Sequence, residues 1–167
     1  HVAGIDHNSA DPDATERLYG IVKKFSEGAT LVHSTRNKDE VRAEVLAVMD
    51  EFDESVLQPA IARRVSLIGE VAAGTRPESE LPQDVLTTLL RNQDRLDLPH
   101  EVIRREIAFY LQAGAHSTAN SLTHTLDQVW AWGADHPEDL QQAGADKAFL
   151  QRCMHESLRL DPASPVA

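Results

Sequence analysis

Two very small residues and two hydroxyls stand close together near the middle of an apolar helical stretch. Ser117 follows Ala113 by four positions and Thr118 follows Gly114 by four, so each pair shares one helix face. A hydroxyl in such a place can donate to the carbonyl four residues back or hold an ordered water molecule. His116 stands beside them and can give or take a proton near neutral pH. These residue types indicate a place where protons can move beside a closely approached backbone.

Each of these features also has a structural explanation. Glycine inside a helix costs about 1 kcal/mol relative to alanine, so Gly114 marks the close approach of either a ligand or a second helix. The polar strip from Asn120 to His124 either lines a water-filled cavity or faces solvent. His116 alone is explained equally well as an exposed side chain. His124 is eight positions further on, which is too wide for a metal-binding His-x-x-x-His pair.

A second pair of side chains lies near the end of the chain. Glu156 and Arg159 are three positions apart on a predicted helix that Pro162 ends, which is the spacing of a helical ion pair. Such a pair contributes little when exposed, whereas with a buried third partner it can fix a loop. A zinc site of the His-Glu-x-x-His type is excluded, because Arg159 replaces the second histidine. Cys153, on the same helix, is predicted to be a structural or free thiol.

The apolar periodicity predicts helices almost throughout and no clear strand. Pro59 is expected to kink or restart its helix, and residues 73–80 are expected to form a linker. The longest helix would be on the order of 50 Å long, with Ile103, Ile107, Leu122 and Trp130 on one shared face. Helices are predicted over residues 13–27, 39–71, 82–91, 99–132, 138–143 and 146–160.

Composition narrows the class of protein. The 167 residues are enough for one domain with a core. The formal net charge is -11 and no basic stripe is present, so no nucleic-acid partner is expected. No apolar run is long enough to span a bilayer, so no membrane partner is expected. A single cysteine permits no disulfide within the chain, which favours the cytoplasm.

The two chemical segments together resemble two helices of the cytochrome P-450 heme-thiolate monooxygenases of the soluble bacterial type. Residues 113–120 (AGAHSTAN) are similar to the Ala/Gly-Gly-x-Asp/Glu-Thr-Thr/Ser pattern of the family's distal oxygen-binding helix. Residues 156–165 (ESLRLDPASP) are similar to its Glu-x-x-Arg helix and the Pro-rich turn that follows. Gly114 and Glu156 are 42 residues apart, in the family's order.

The resemblance implies a mainly α fold in which residues 1–167 form part of a single cytochrome P-450 domain. Residues 13–71 would be substrate-lid helices, and residues 82–132 a helix pair that includes the long distal helix. Residues 138–162 would be the following helix and the Glu-x-x-Arg helix. The family's iron-binding Cys loop is missing, and Cys153 precedes the Glu-x-x-Arg motif. The chain is therefore expected to be a segment that covers less than half of a family domain.

The resemblance also assigns roles to the residues of the first segment. Ala113 and Gly114 would lie over the heme face, and Ser117 would also contact the cofactor. Ser117 stands at the position of the family's oxygen-activating threonine and keeps the hydroxyl without the methyl that restricts its rotamer. His116 stands at the usual acid position, where it would relay a proton or turn away. The catalytic candidates are Ser117, His116 and Thr118, and none of them is a metal ligand.

Further roles follow from the same resemblance. Glu156 and Arg159 would be structural residues that support heme incorporation, and Phe109 and Tyr110 would line the substrate pocket. The cofactor would be heme b, with its thiolate ligand outside this chain. The reaction would insert one oxygen atom from dioxygen into a small, mainly apolar organic substrate. Electrons would come from a ferredoxin- or flavin-type redox partner.

Two alternatives remain open from the sequence. The first is a helical binding or interaction module that kept the fold and lost the heme, which the missing Cys loop, His116 and Ser117 favour. The second is a heme enzyme that uses peroxide, since both departures fall in the segment that would deliver protons for oxygen activation.

Overall fold

The computed structural model describes residues 2–8 and 10–162, and within these residues the chain is mainly α with no β-strand. The prediction of a mainly helical protein is confirmed. Residues 163–165 of the predicted Pro-rich turn lie outside the described residues. The helices of the described part are α1 (Pro12–Ala29), α2 (Lys38–Phe52), α3 (Gln58–Ala72), α4 (Val85–Arg91), α5 (Gln93–Leu96), α6 (His100–Gly133), α7 (Pro137–Ala145) and α8 (Lys147–Leu160).

The chain forms two compact units, residues 1–112 and 113–167, and the boundary between them falls inside α6. In the first unit α1 packs on α2, and α3 packs on α4. The rings of Phe25 and Phe52 meet edge to face, 5.4 Å apart. Around this contact lies the hydrophobic core, whose largest fully buried side chains are Phe52, Leu57, Leu86, Ile103, Ile107 and Val41.

Pro59 interrupts the predicted helix of residues 39–71 with a widened turn. Residues Asp53–Leu57 form one π-helical turn between α2 and α3, and the Gln58 backbone N–H donates to the Asp53 carbonyl five residues back. Proline has no N–H to give, and its ring crowds the carbonyl four residues earlier. A π turn relieves that conflict while the helical path continues. The predicted restart at Pro59 is thus confirmed.

The helix predicted to open at Pro82 begins later, at Val85, because Asp84 caps it. The Asp84 carboxylate accepts a hydrogen bond from the Thr87 backbone N–H at 2.7 Å. Residues 2 and 3 run beside this start, where their carbonyls accept from the backbone N–H groups of Val85 and Leu86. Asn92 then separates α4 from the short α5, a stretch that the sequence placed in a polar loop.

The second unit contains residues 113–133 of α6, with α7 and α8. Gly133 is required where α6 ends, since a Cβ there would lie 2.8 Å from the Leu140 Cβ of α7. Pro137 occupies the first turn of α7, where its missing N–H costs nothing. Asp146 caps α8 by accepting from the Ala148 backbone N–H at 2.8 Å. In the described part of the chain, no helix combines the length and apolar character needed to cross a membrane.

The predicted apolar face of α6 was wrong beyond its first half. Ile103 and Ile107 are buried, as expected, whereas Leu122 and Trp130 are 54% and 62% exposed. At 3.6 residues per turn, the 27 positions from Ile103 to Trp130 amount to about seven and a half turns, which places the two side chains on opposite faces. The phase error accumulates along a helix of 34 residues.

Candidate functional site

The candidate site lies on the part of α6 that belongs to the second unit. Ala113 and Gly114 are both exposed. A Cβ added to Gly114 would meet no other part of the described chain within 4 Å. The explanation of Gly114 as a contact with a second helix is therefore excluded for the residues that the structure describes. This stretch of α6 presents bare backbone on an open face.

Hydroxyls follow this open stretch as a ladder along the helix. Ser117 Oγ donates to the Ala113 carbonyl at 2.6 Å, and Ser121 Oγ donates to the Ser117 carbonyl at 2.7 Å. Thr125 Oγ1 continues the series by donating to the Ser121 carbonyl at 2.7 Å. Ser117 is exposed, whereas Ser121 and Thr125 are buried. Of the two predicted roles for Ser117, the bond to its own helix is the one present, so its hydroxyl proton is engaged in this state.

The two remaining catalytic candidates differ in exposure. His116 is half-buried and Thr118 is exposed. Neither forms part of the hydroxyl ladder, whose members lie four positions apart. Neighbouring positions on a helix point about 100° apart, so Ser117, His116 and Thr118 do not converge on one point. Any proton transfer among them requires a bridging water or a bound group.

A histidine–carboxylate contact joins α6 to the end of α8. His124 Nδ1 lies 3.1 Å from Asp161 Oδ2 and 3.4 Å from the Asp161 carbonyl oxygen. The two segments singled out in the sequence thus meet within one unit. Sequence reasoning placed His124 in the polar strip and missed Asp161, because a contact between positions 37 residues apart leaves no local pattern.

Glu156 and Arg159 form a two-pronged ion pair on α8. Arg159 Nε and Nη2 donate to the two Glu156 carboxylate oxygens at 2.9 and 2.6 Å. These hydrogen bonds lower the pKa of Glu156 and raise the pKa of Arg159. Both side chains are more than half exposed, and no third ion-pair partner is present among the described residues. In the described chain the pair is a surface pair, and its predicted role in holding a later segment stays a prediction.

Ser157, next to this pair, was missed by sequence reasoning. It is 2% exposed, and its Oγ has no hydrogen-bond partner among residues 2–8 and 10–162. A buried hydroxyl without a partner loses its hydration and gains nothing in return. No sequence signal identifies it, because a serine beside an ion pair usually faces solvent.

Phe109 and Tyr110, the predicted substrate-pocket residues, belong to the first unit and line different grooves. Phe109 lines a groove of about 340 Å³ with Met49, whereas Tyr110 lines one of about 720 Å³ with Val102. Their rings meet edge to face, 6.0 Å apart, and are 61% and 45% exposed. The structure thus does not bring these two side chains into one pocket of the first unit.

The described residues offer no cluster of three or more His, Cys, Asp or Glu side chains that could hold a metal ion. The open face at Ala113 and Gly114 has room for a flat cofactor such as heme on one side. Cys153 is half-buried on α8, in a groove lined by α6, α7 and α8. The described chain therefore fits one face of heme and contains no counterpart of the family's thiolate loop.

The chain matches no protein-family model, no curated protein and no solved structure.

Proposed function

We propose that this chain is part of a heme-dependent monooxygenase similar to the cytochromes P-450, acting on a small, mainly apolar organic molecule. The proposal rests on the open face of α6 at Gly114, followed three and four positions later by hydroxyls. A helical glycine lowers helix stability by about 1 kcal/mol, and no neighbour in the described chain requires it here. A flat cofactor lying against the backbone would account for it.

Comparison with the other glycines sharpens this argument. Gly20, Gly69 and Gly144 are as open as Gly114, since a Cβ at each would also meet nothing within 4 Å. None of the three has a hydroxyl three or four positions later. Openness together with hydroxyls on the same helical stretch is therefore particular to Gly114 among these glycines. Local rules are most often broken where function demands it.

The residues would divide the work as follows. Ala113 and Gly114 would hold heme by presenting backbone without bulky side chains. When bound, heme supplies the activation of dioxygen and the insertion of one oxygen atom into the substrate. Ser117 would hold a proton at Oγ, once that hydroxyl turns away from the Ala113 carbonyl. His116 would carry protons on its ring nitrogens, in the role that a carboxylate has in similar proteins.

A helical binding module without heme is the second candidate, and one observation favours it. Ser117 Oγ donates its only proton within the helix at 2.6 Å, as an ordinary helical serine does. In this alternative the open face would bind a partner and perform no chemistry. The proposal assigns the thiolate ligand to a segment outside this chain, whereas the alternative needs none.

Absorbance spectroscopy separates the two candidates. The purified chain is incubated with hemin, freed of excess, reduced with dithionite and exposed to carbon monoxide. We expect a Soret band that shifts on reduction and again with carbon monoxide. Absence of any Soret band from the folded protein would refute the heme proposal and favour the binding module. For a heme-loaded protein, product formation with peroxide against product formation with reductase and dioxygen distinguishes a peroxide-using enzyme from a monooxygenase.

A further inference from the structure

A groove of about 520 Å³ lies in the second unit, between the end of α6, α7 and α8, and is called the α7–α8 groove below. Small-molecule sites typically measure about 300–1,000 Å³. Its wall excludes Ala113, Gly114 and Ser117, so the groove is separate from the proposed heme face. The apolar side chains along it are Val129, Trp132, Leu140, Ala143, Phe149 and Leu160.

Three charged residues border the α7–α8 groove, and the two acids are already engaged. Asp139 Oδ2 accepts a hydrogen bond from Trp132 Nε1 at 2.8 Å. Glu156 accepts both of its hydrogen bonds from Arg159. The available charge at the groove is therefore not negative, although the chain as a whole carries a net charge of -11.

Arg152 is the third charged residue, and it is exposed. Its guanidinium carbon lies 5.5 Å from the centre of the Phe149 ring, which holds the side chain over the apolar wall. Among residues 2–8 and 10–162, no carboxylate lies within ion-pair distance of it. The groove thus combines an apolar wall with a cation that has no acidic partner in the described chain.

We propose that the α7–α8 groove binds an amphipathic monocarboxylate, with its apolar tail along the wall and its carboxylate on Arg152. A guanidinium donates two parallel hydrogen bonds to a carboxylate, a geometry that an ammonium cannot match. The tail gains free energy by leaving water against Trp132 and Leu160. This inference is independent of heme binding, because the groove shares no residue with the open face of α6.

Cys153 provides a readout specific to the groove. It is the only cysteine of the chain, it is half-buried, and it lines the α7–α8 groove. A bound ligand should cover its sulfur and slow alkylation by neutral iodoacetamide. The rate is followed by mass spectrometry at rising concentrations of decanoate or of decanol, which share the tail and differ in the charged group. Circular dichroism confirms that helix content is unchanged in every sample.

We expect decanoate to protect Cys153 at a concentration about threefold to fivefold lower than decanol, since a partly exposed ion pair contributes modestly. Arg152→Gln should abolish that preference and leave protection by decanol unchanged. Arg95→Gln is the matched control, because it removes one positive charge from an exposed position on α5 in the first unit. It should keep the preference.

Three results would overturn the proposal. Decanoate giving no protection at all would show that the groove does not take the ligand. Equal protection by decanoate and decanol in the unaltered chain would show that Arg152 does not recognise the carboxylate. A preference that survives Arg152→Gln would assign the recognition to another group.

Discussion

Removal of the Arg64 guanidinium should strongly destabilise the first unit. Its side chain is 9% exposed, and that of its partner Asp84 is 6% exposed. Arg64 Nε and Nη2 both donate to Asp84 Oδ2, at 3.1 and 3.0 Å. Nη2 also donates to the Gly4 carbonyl at 3.1 Å, so one side chain ties α3 to the start of α4 and to the N-terminal segment.

The expected magnitude follows from what Arg64→Ala leaves behind. Asp84 would remain buried with the Thr87 backbone N–H as a hydrogen-bond donor, and its charge would have lost its nearest partner. Breaking a buried pair from one side costs about 3–5 kcal/mol. With a slope of about 2 kcal/mol per molar urea, a loss of about 3 kcal/mol moves the unfolding midpoint down by about 1.5 M. The assay is urea unfolding followed by circular dichroism at 222 nm.

The neighbouring Arg63 supplies the matched control. It is 61% exposed and lies 3.4 Å from Asp6, so Arg63→Ala should change the free energy of unfolding by less than about 0.5 kcal/mol. Arg64→Lys, which keeps the charge and loses the fork, should fall between the two and covers the case in which Arg64→Ala does not fold. The reasoning is refuted if Arg64→Ala and Arg63→Ala unfold at the same urea concentration.

Two further predictions concern acid stability and buried hydroxyls. The Glu44 carboxylate accepts hydrogen bonds from Arg36 and Lys24, which lower its pKa to about 2. A lowered pKa stabilises the fold above the ordinary value of 4.5 and ceases to do so as the pH falls towards 2, so Glu44→Gln should flatten the pH profile of the unfolding free energy over that range; identical profiles would contradict this. In the second unit, Thr125→Val should lower stability by about 1 kcal/mol because it deletes a buried hydrogen bond. Ser157→Ala should be neutral or stabilising because it removes a buried hydroxyl without a partner in the described chain; both are measured by urea unfolding with tryptophan fluorescence, and a large loss in Ser157→Ala would count against this account.

Local signals predicted the helices well, and long-range contacts escaped them. Pro59 and Gly133 act within a few residues, so their effects on the chain path were readable from the sequence. The pairing of His124 with Asp161 depends on how α6 and α8 pack, and no spacing rule encodes it. Tyr110 and Phe109 are adjacent in sequence yet line different grooves, because neighbouring helical positions point about 100° apart. The small residues and hydroxyls of the candidate site were found because they break the apolar pattern of α6.

A hemin titration of matched glycine variants tests most directly whether the open face of α6 binds heme. Gly114→Leu and Gly69→Leu both add the same side chain at an open helical position, so their effects on helix propensity match. We predict that the unaltered chain and Gly69→Leu bind hemin with the same Kd, measured from the Soret absorbance. Gly114→Leu should bind at least about tenfold more weakly, because the new side chain occupies the face where the cofactor would lie. Equal affinity of Gly114→Leu and the unaltered chain would contradict the assignment.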